Sequence, residues 1–375
     1  MANIGIDAKR AFRNFSGLGN YSRALIHGLS HIYPYNQYFL YTPNYDEDGK
    51  WLDFSKGENI TIVKPSGIYQ ALPHAIWRSA GISTDIKKNK IDLFHGLSGE
   101  LPIINFNIPK VVTMHDVIFL RYPQYYKSLD RILYEKKFRQ ACKTADKIIA
   151  ISKQTADDII NMLGADPAKI EIVYQGCDKI FYKQPTLEQM QFVKEKYNLP
   201  NRFIVNVGTI ETRKNLVNVV KALAELPKDI NLIALGRATP YIKEVDNAIR
   251  ELGLQERVKL IHNASFTDFP AIYKQAIALT YVSLFEGFGI PVLEGLTIGT
   301  PVITSNLSSM PEAGGDAALY ANPHNPKEIA SHINMLISSP TIVKSIIEKG
   351  KMHAEKFKEK EVVKNVREIY ASLLK

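Results

Sequence analysis

Short apolar runs rich in Ile, Val and Leu alternate with stretches of helical periodicity along the whole chain, and this alternation restricts the fold more than any other feature. Seven runs fill the first half: Ile4–Asp7, Tyr38–Thr42, Ile60–Lys64, Leu93–His95, Lys110–His115, Lys147–Ile151 and Ile170–Val173. Five fill the second: Phe203–Val207, Leu232–Leu235, Val258–Ile261, Ala276–Val282 and Val302–Thr304. Strands separated by helices form parallel sheets with helices on both faces. Between two of the runs, Leu216, Val219, Val220 and Leu223 keep the spacing of a half-buried helix. At 375 residues the chain exceeds what one core usually fills, so two doubly wound α/β domains are expected. The segment KIFYKQPT, near 180–187, carries a proline and no periodicity. It divides the sequence into domains 1–183 and 184–353, and the Lys- and Glu-rich stretch 354–375 reads as one long terminal helix.

Composition narrows the function. Hydrophobic content of 45% and charged content of 23% are those of an ordinary globular protein. No run of eighteen apolar residues suggests a membrane-spanning helix, and the start MANIGIDAKRAF reads as a first strand rather than an export signal. Two cysteines, Cys142 and Cys177, with no CxxC or His/Cys cluster, argue for a reducing cytoplasm and against structural zinc. The net charge of +9 raises the question of an anionic partner. The densest basic stretch, Arg121–Lys147, holds eight basic and three acidic side chains among several aromatic ones. A face of that kind can rest on an anionic membrane surface, so peripheral contact with the inner face of the cell membrane is an expectation. No nucleic-acid-binding motif occurs, and nucleic acid is not expected as a partner.

Chemistry concentrates at strand ends. In YVSLFEGFGIPVLE, a buried strand runs into glycines 287 and 289 and a short helix Pro291–Ile298 closed by Gly299. The helix N-terminus and glycine turn suit an anion, and Glu286 and Glu294 can both face one crevice. Hydroxyls and an anion on one ligand describe a sugar nucleotide. Strand Phe203–Val207 runs into GTIETRKN, so Arg213 and Lys214 precede a helix, with Asn215 expected as its cap. Two cations there suit a diphosphate. Strand Ile4–Asp7 is followed by SGLGNY, read as a glycine loop before a helix from about Asn20, and KVVTMHD ends in His115 and Asp116.

The stretch EGFGIPVLEGLTIGTPVITSNLSSMPEAGGDAALYANP, Glu286 to Pro323, closely resembles the signature of retaining nucleotide-sugar glycosyltransferases of family four, which have the GT-B fold. Their E-x7-E motif falls on Glu286 and Glu294. The resemblance implies two Rossmann-like domains facing a cleft, the first binding acceptor and the second donor, with the terminal helix crossing back to the first. It implies that Glu294 accepts hydrogen bonds from ribose, that Glu286 holds sugar hydroxyls beside Gly287, Phe288, Gly289 and Ile290, and that Arg213 and Lys214 stabilise the leaving diphosphate. Gly208 and Arg237 fall near the donor, and Gly17 and Gly19 match the glycine loop that approaches it. Asn20 stands where many relatives carry arginine. His115 matches a histidine that reaches the transferred sugar, while Asp116 and His95 are expected at the acceptor.

The implied reaction moves a hexose, with mannose from GDP-mannose the first expectation, to a glycan or lipid-linked acceptor in bacterial surface polysaccharide synthesis. It needs no cofactor beyond the nucleotide sugar, and no D-x-D pair calls for a metal. A GT-B sugar-nucleotide epimerase and a non-catalytic nucleotide-sugar-binding relative are the alternatives. The epimerase would turn over donor without acceptor; the non-catalytic relative would have lost the charged residues that are present here.

Overall fold

The computed structural model describes residues 1–14, 17–46, 49, 52–104 and 106–374. The chain forms two compact units, Met1–Gly176 with Lys358–Lys375, and Cys177–Phe357. In the first, β1 (Asn3–Asp7), β2 (Gln37–Tyr41), β3 (Ile60–Val63), β4 (Leu93–Gly96), β5 (Lys110–Met114), β6 (Lys147–Ala150) and β7 (Ile170–Ile172) make one sheet in the order 3-2-1-4-5-6-7. Every neighbouring pair is parallel. Strands such as β4, buried along its whole length, require cover on both faces, which the crossover helices supply.

The second unit repeats the scheme with β8 (Phe203–Val207), β9 (Asn231–Leu235), β10 (Val258–Ile261), β11 (Leu279–Tyr281), β12 (Val302–Ser305) and β13 (Leu319–Ala321), ordered 10-9-8-11-12-13. Doubly wound sheets bind ligands beyond the carboxyl ends of their strands, where the winding direction reverses. In this unit the reversal lies between β8 and β11, so the loop carrying Arg213 and Lys214 emerges beside the loop carrying Glu286. In the first unit it lies between β1 and β4.

The twelve expected strands are all present, with differences at their ends. The ladder of β11 is only three residues of the expected Ala276–Val282, and β13, a three-residue edge strand beside β12, was not expected because so short a run has no readable period. The unit boundary falls at Gly176/Cys177, before the expected join. Phe181 is fully buried in the second unit against Phe266 and Tyr273, so the KIFY turn is anchored core rather than linker. The expected terminal helix is present as Glu359–Leu373 but starts later than the sequence suggested: the preceding helix, Pro340–Ala354, ends in a turn pinned by buried Phe357, and the last helix begins after extended Lys358. Val362, Val363, Val366, Ile369 and Tyr370 of that last helix enter the core of the first unit. There Gly28 lets the helix Gly17–Ile32 come close, because a Cβ at Gly28 would stand 2.5 Å from Val363. Among the described residues, no helix is long and apolar enough to cross a membrane.

Candidate functional site

The second unit gathers the expected donor residues at its sheet reversal. Gly208 follows β8 at φ +121, donating its N–H to Leu235 O at 2.9 Å, and a Cβ on Gly236 would meet Gly208 O at 1.9 Å. Two glycines are therefore needed where the ends of β8 and β9 touch. Thr212–Lys214 forms a single tight turn, and Leu284 N–H donates to Arg213 O at 2.9 Å, which ties the loop after β8 to the loop after β11. Asn215 does not cap the next helix through its side chain, as the sequence suggested. It adopts φ +62, and its amide donates to Val282 O at 3.1 Å and Pro323 O at 2.8 Å, so it fastens this loop to its neighbours. Asparagine tolerates that backbone better than most residues.

These fixings bring the three charged residues into one network. Arg213 Nη1 lies 2.6 Å from Glu286 Oε2, and Lys214 Nζ lies 2.6 Å from Glu286 Oε1. Arg213 also donates to Phe285 O at 2.8 Å and to Glu211 Oε1 at 2.6 Å, and Lys214 donates to the Tyr281 hydroxyl. Burial alone would raise the Glu286 carboxyl, but Lys214 and Arg213 outweigh it and hold the group at about 2. Burial, reinforced by Arg213, lowers Lys214 despite the pull of Glu286. The two cations are thus balanced in charge by Glu286 and Glu211. Sequence reading treated Glu286 and the Arg-Lys pair as separate contacts to one ligand; the fold makes them each other's partners.

Around them, Ser308 Oγ bridges Glu286, accepting from its N–H at 3.3 Å and donating to its carbonyl at 2.7 Å, while Ser309 Oγ donates to Glu286 O and Phe288 O. Gly287 and buried Phe288 follow, and Gly289 at φ +117 leads into the helix Ile290–Ile298. A Cβ at Gly289 would stand 2.7 Å from Met310 Cε. In its first turn Val292 and Leu293 N–H donate back to Gly289 O and Pro291 has no N–H, which leaves the N–H of Ile290 outside the helical ladder. Glu294, one turn in, is buried and accepts from the Tyr273 hydroxyl at 2.9 Å. Burial, helped by Asp178 and opposed by Tyr273 and Lys214, raises its carboxyl to about 8. Arg237 is exposed beyond β9, its carbonyl accepting from Ile210 N–H at 2.9 Å. Sequence reading missed Tyr273, Tyr281, Glu211, Ser308 and Ser309. Only the two serines had a local signal, as the SS between a strand and the MPEAGG helix.

The raised Glu294 carboxyl has a measurable consequence. A carboxyl whose pKa is higher folded than unfolded contributes stability that is full below the unfolded value, here 4.5, and is lost as pH rises through about 8. In the ligand-free protein, Glu294→Gln should therefore flatten the decline in melting temperature between pH 5 and pH 8. An unchanged pH profile would show that the carboxyl is ionised across this range.

The remaining expected residues belong to the first unit. Gly17 and Gly19 lie inside the helix Gly17–Ile32 rather than in a loop before it, and Ser16 is outside the described residues. Gly19 is required sterically, since a Cβ would fall 1.7 Å from Asn14 O, whereas Gly17 faces open space. Asn20 accepts from Arg23. His115 donates from Nε2 to Leu97 O at 2.9 Å, meets Gln175 Nε2 at 3.3 Å through Nδ1, and packs edge-on against Tyr21. Burial, aided by Arg10 and opposed by the Leu97 hydrogen bond, lowers it to about 4, so it is a neutral imidazole at pH 7. Asp116 accepts from Ile118 N–H at 3.0 Å, shaping the turn that follows. His95 lies in the core rather than at a pocket edge. It is fully buried between Tyr370 OH at 2.6 Å and Thr113 Oγ1 at 2.8 Å, and it fixes the terminal helix.

Two Rossmann-like units, each built on one parallel sheet, are the architecture of the GT-B class. The chain matches the family model Glycosyltransferase Family 4 over residues 16–179 and that of Glycosyl transferases group 1 over residues 188–353, and it belongs to the family-four-like GT-B glycosyltransferases. Among curated relatives, it is 29% identical over 240 residues to O-antigen chain mannosyltransferase B of Escherichia coli, covering 61% of this chain and 62% of that one. It is 27% identical over 234 residues to O-antigen chain mannosyltransferase RfbU of Salmonella typhimurium, covering 62% of each. The match thus spans under two thirds of either mannosyltransferase. Among solved structures, HepE of Anabaena in complex with UDP is similar in fold, with a TM-score of 0.77 at 18% identity over the whole of both chains. A glycosyltransferase from Rickettsia africae reaches 0.78 at 20% identity, covering 100% of this chain and 98% of that one.

Proposed function

We propose that this protein is a retaining glycosyltransferase that moves a hexose, mannose from GDP-mannose, to a hydroxyl of a glycan or lipid-linked acceptor in the synthesis of a bacterial surface polysaccharide. The observation that carries the reading is the Arg213–Glu286–Lys214 network at the reversal of the second sheet, beside the N-terminus of the helix Ile290–Ile298. The mannosyltransferase relatives support the sugar, and the UDP held by HepE supports a nucleoside diphosphate as the leaving group. In this reading the donor diphosphate draws Arg213 and Lys214 toward itself, and Glu286 exchanges part of its ion pairing for hydrogen bonds to sugar hydroxyls. Glu294 meets the ribose. The bond from the anomeric carbon to the diphosphate breaks, an acceptor oxygen bonds to that carbon on the same face, and the acceptor proton passes to the leaving phosphate. His115, neutral and with its N–H held by Leu97 O, exchanges the Gln175 contact at Nδ1 for a hydrogen bond accepted from a sugar hydroxyl rather than carrying charge. The cations supply the charge stabilisation, so no metal is required. Peripheral contact with an anionic membrane on its cytoplasmic side would keep the enzyme beside a lipid-linked acceptor.

A thermal-shift panel of GDP-, UDP-, dTDP- and ADP-sugars with the bare diphosphates, each with and without EDTA, tests the donor site. A ligand at 100 times its Kd stabilises the fold by about 2.7 kcal/mol. The expected result is a selective shift by GDP-mannose and GDP that survives EDTA. A shift by another nucleotide would replace the donor, a shift lost in EDTA would restore a metal, and no shift at all would overturn the assignment.

A further inference from the structure

The first sheet reverses between β1 and β4, and charge gathers at the carboxyl ends of those two strands. Asp7 ends β1, and the helix Lys9–Arg13 follows almost at once, so Lys9 and Arg10 lie next to the strand end. β4 ends at Gly96, where a Cβ would fall 2.1 Å from Glu100 O. Only glycine lets the following loop double back there, and the loop brings Glu100 to the same edge. A third element supplies Arg78, from the π-helical turn Trp77–Gly81. Turns of that kind are rare and recur at functional sites. Trp77 is fully buried and its ring N–H donates to Asp85 Oδ2 at 2.8 Å, which fixes the turn.

Arg78 uses up the two carboxylates. Its Nη2 lies 2.5 Å from Asp7 Oδ2 and its Nη1 3.2 Å from Glu100 Oε2. Asp7 Oδ1 also accepts from the Lys9 backbone N–H at 3.2 Å, and Glu100 Oε1 lies 3.4 Å from Lys137 Nζ. Lys9 and Arg10 are left over. Both are half-buried, and among the described residues neither side chain has a hydrogen bond or ion pair. Burial lowers the Lys9 ammonium, and Arg78 and Arg10 lower it further against the pull of Glu100 and Asp7. Arg10 also adds to the lowering that burial imposes on His115, so these groups share one region.

Two half-buried cations held together without a counter-ion destabilise the empty site, and a bound anion relieves both the crowding and the desolvation. A phosphoryl group fits the pair. It brings up to two negative charges and three acceptor oxygens, and an Arg fork beside a Lys ammonium can take them together. We infer that Lys9 and Arg10 hold a phosphoryl group carried by the acceptor, so that the acceptor is a sugar phosphate ester, either soluble or joined to a lipid through diphosphate. The inference rests on the sugar-transfer reading only in calling this ligand the acceptor; the binding itself needs no donor.

Isothermal titration of the full chain with glucose 1-phosphate, methyl glucoside and farnesyl diphosphate tests it. The wild type should bind a phosphate-bearing probe and not the methyl glucoside. Lys9→Gln and Arg10→Gln should each weaken that binding on the order of tenfold, about the worth of one charged hydrogen bond. Neither side chain has a partner in the protein, so both variants should keep the wild-type melting temperature. Lys214→Ala, at the reversal of the other sheet, should bind as the wild type does. Binding that Lys9→Gln and Arg10→Gln leave unchanged overturns the proposal, and a loss in Lys214→Ala instead would put the anion at the donor residues. Equal binding of methyl glucoside, or no binding of either phosphate-bearing probe, overturns it as well. Tighter binding of farnesyl diphosphate than of glucose 1-phosphate, with the same losses, identifies a lipid diphosphate; the reverse order identifies a soluble ester. Should the nucleotide sugars give no thermal shift while these losses appear, the anion site stands and the sugar-transfer reading falls.

Discussion

Glu286→Gln is expected to cost about 3–5 kcal/mol of stability at pH 7 and to remove transfer activity. The carboxylate is the shared partner of two cations that are themselves largely buried, and deleting one member of a buried pair leaves charge without compensation. Equilibrium denaturation in guanidinium chloride measures the loss. A change below about 1 kcal/mol would mean that Glu211 and the backbone carbonyl of Phe285 can satisfy Arg213, and the Tyr281 hydroxyl Lys214, without the carboxylate, against the typical cost of breaking such a pair. The sign with pH separates this effect from that of Glu294. The Glu286 carboxyl lies at about 2 in the folded chain, below its ordinary 4.5, so its contribution is present above 4.5 and is lost as pH falls toward 2. The stability gap between wild type and Glu286→Gln should therefore narrow on acidification, whereas the contribution of Glu294 fades in the alkaline direction.

Arg213→Ala and Lys214→Ala should each lower kcat on the order of 10²-fold, the loss typical of removing one preorganised donor to developing charge. The donor KM should change less than kcat, because negative charge on the diphosphate grows as its bond to the sugar breaks. Steady-state kinetics with the donor chosen by the thermal-shift panel checks this, and wild-type kcat in either variant would remove that residue from the reaction. Stability supplies an independent control. Lys214→Ala leaves Glu286 with Arg213, so the variant should fold. Combined with Glu286→Gln it should lose less stability than the two single changes added together, since residues in one ion-pair network couple by about 0.5–3 kcal/mol.

How much of this was legible in the sequence follows from how local each feature is. Strand and helix periods are local, and they marked twelve of the strands; they missed Leu319–Ala321, which is a strand only because it lies along β12. The E-x7-E spacing around GFGIP is local as well, and it singled out Glu286 and Glu294. The helix begins at Gly17 rather than near Asn20, so the loop placement of Gly17 and Gly19 differs from the structure, because a glycine required by contact with the Asn14 carbonyl, as Gly19 is, looks in sequence like one required by a loop. Asn215 looks like a cap from its position before a helix, yet its amide is used by carbonyls 67 and 108 residues away.

The sequence by itself determined the class of fold, the two doubly wound halves and which charged residues stand at strand ends, since these follow from patterning over a few consecutive residues. The tertiary structure alone decided who meets whom. The order 10-9-8-11-12-13 sets the loop after β8 beside the loop after β11, which turns three separate charged residues into one ion-paired network. Burial then sends the two glutamates in opposite directions. Glu286 has two cations within hydrogen-bond reach and stays ionised, while Glu294 has a tyrosine hydroxyl and retains its proton to about pH 8. Eight residues of spacing carry no trace of that difference, because the charge state of a buried carboxyl depends on what the fold brings to it from elsewhere in the chain.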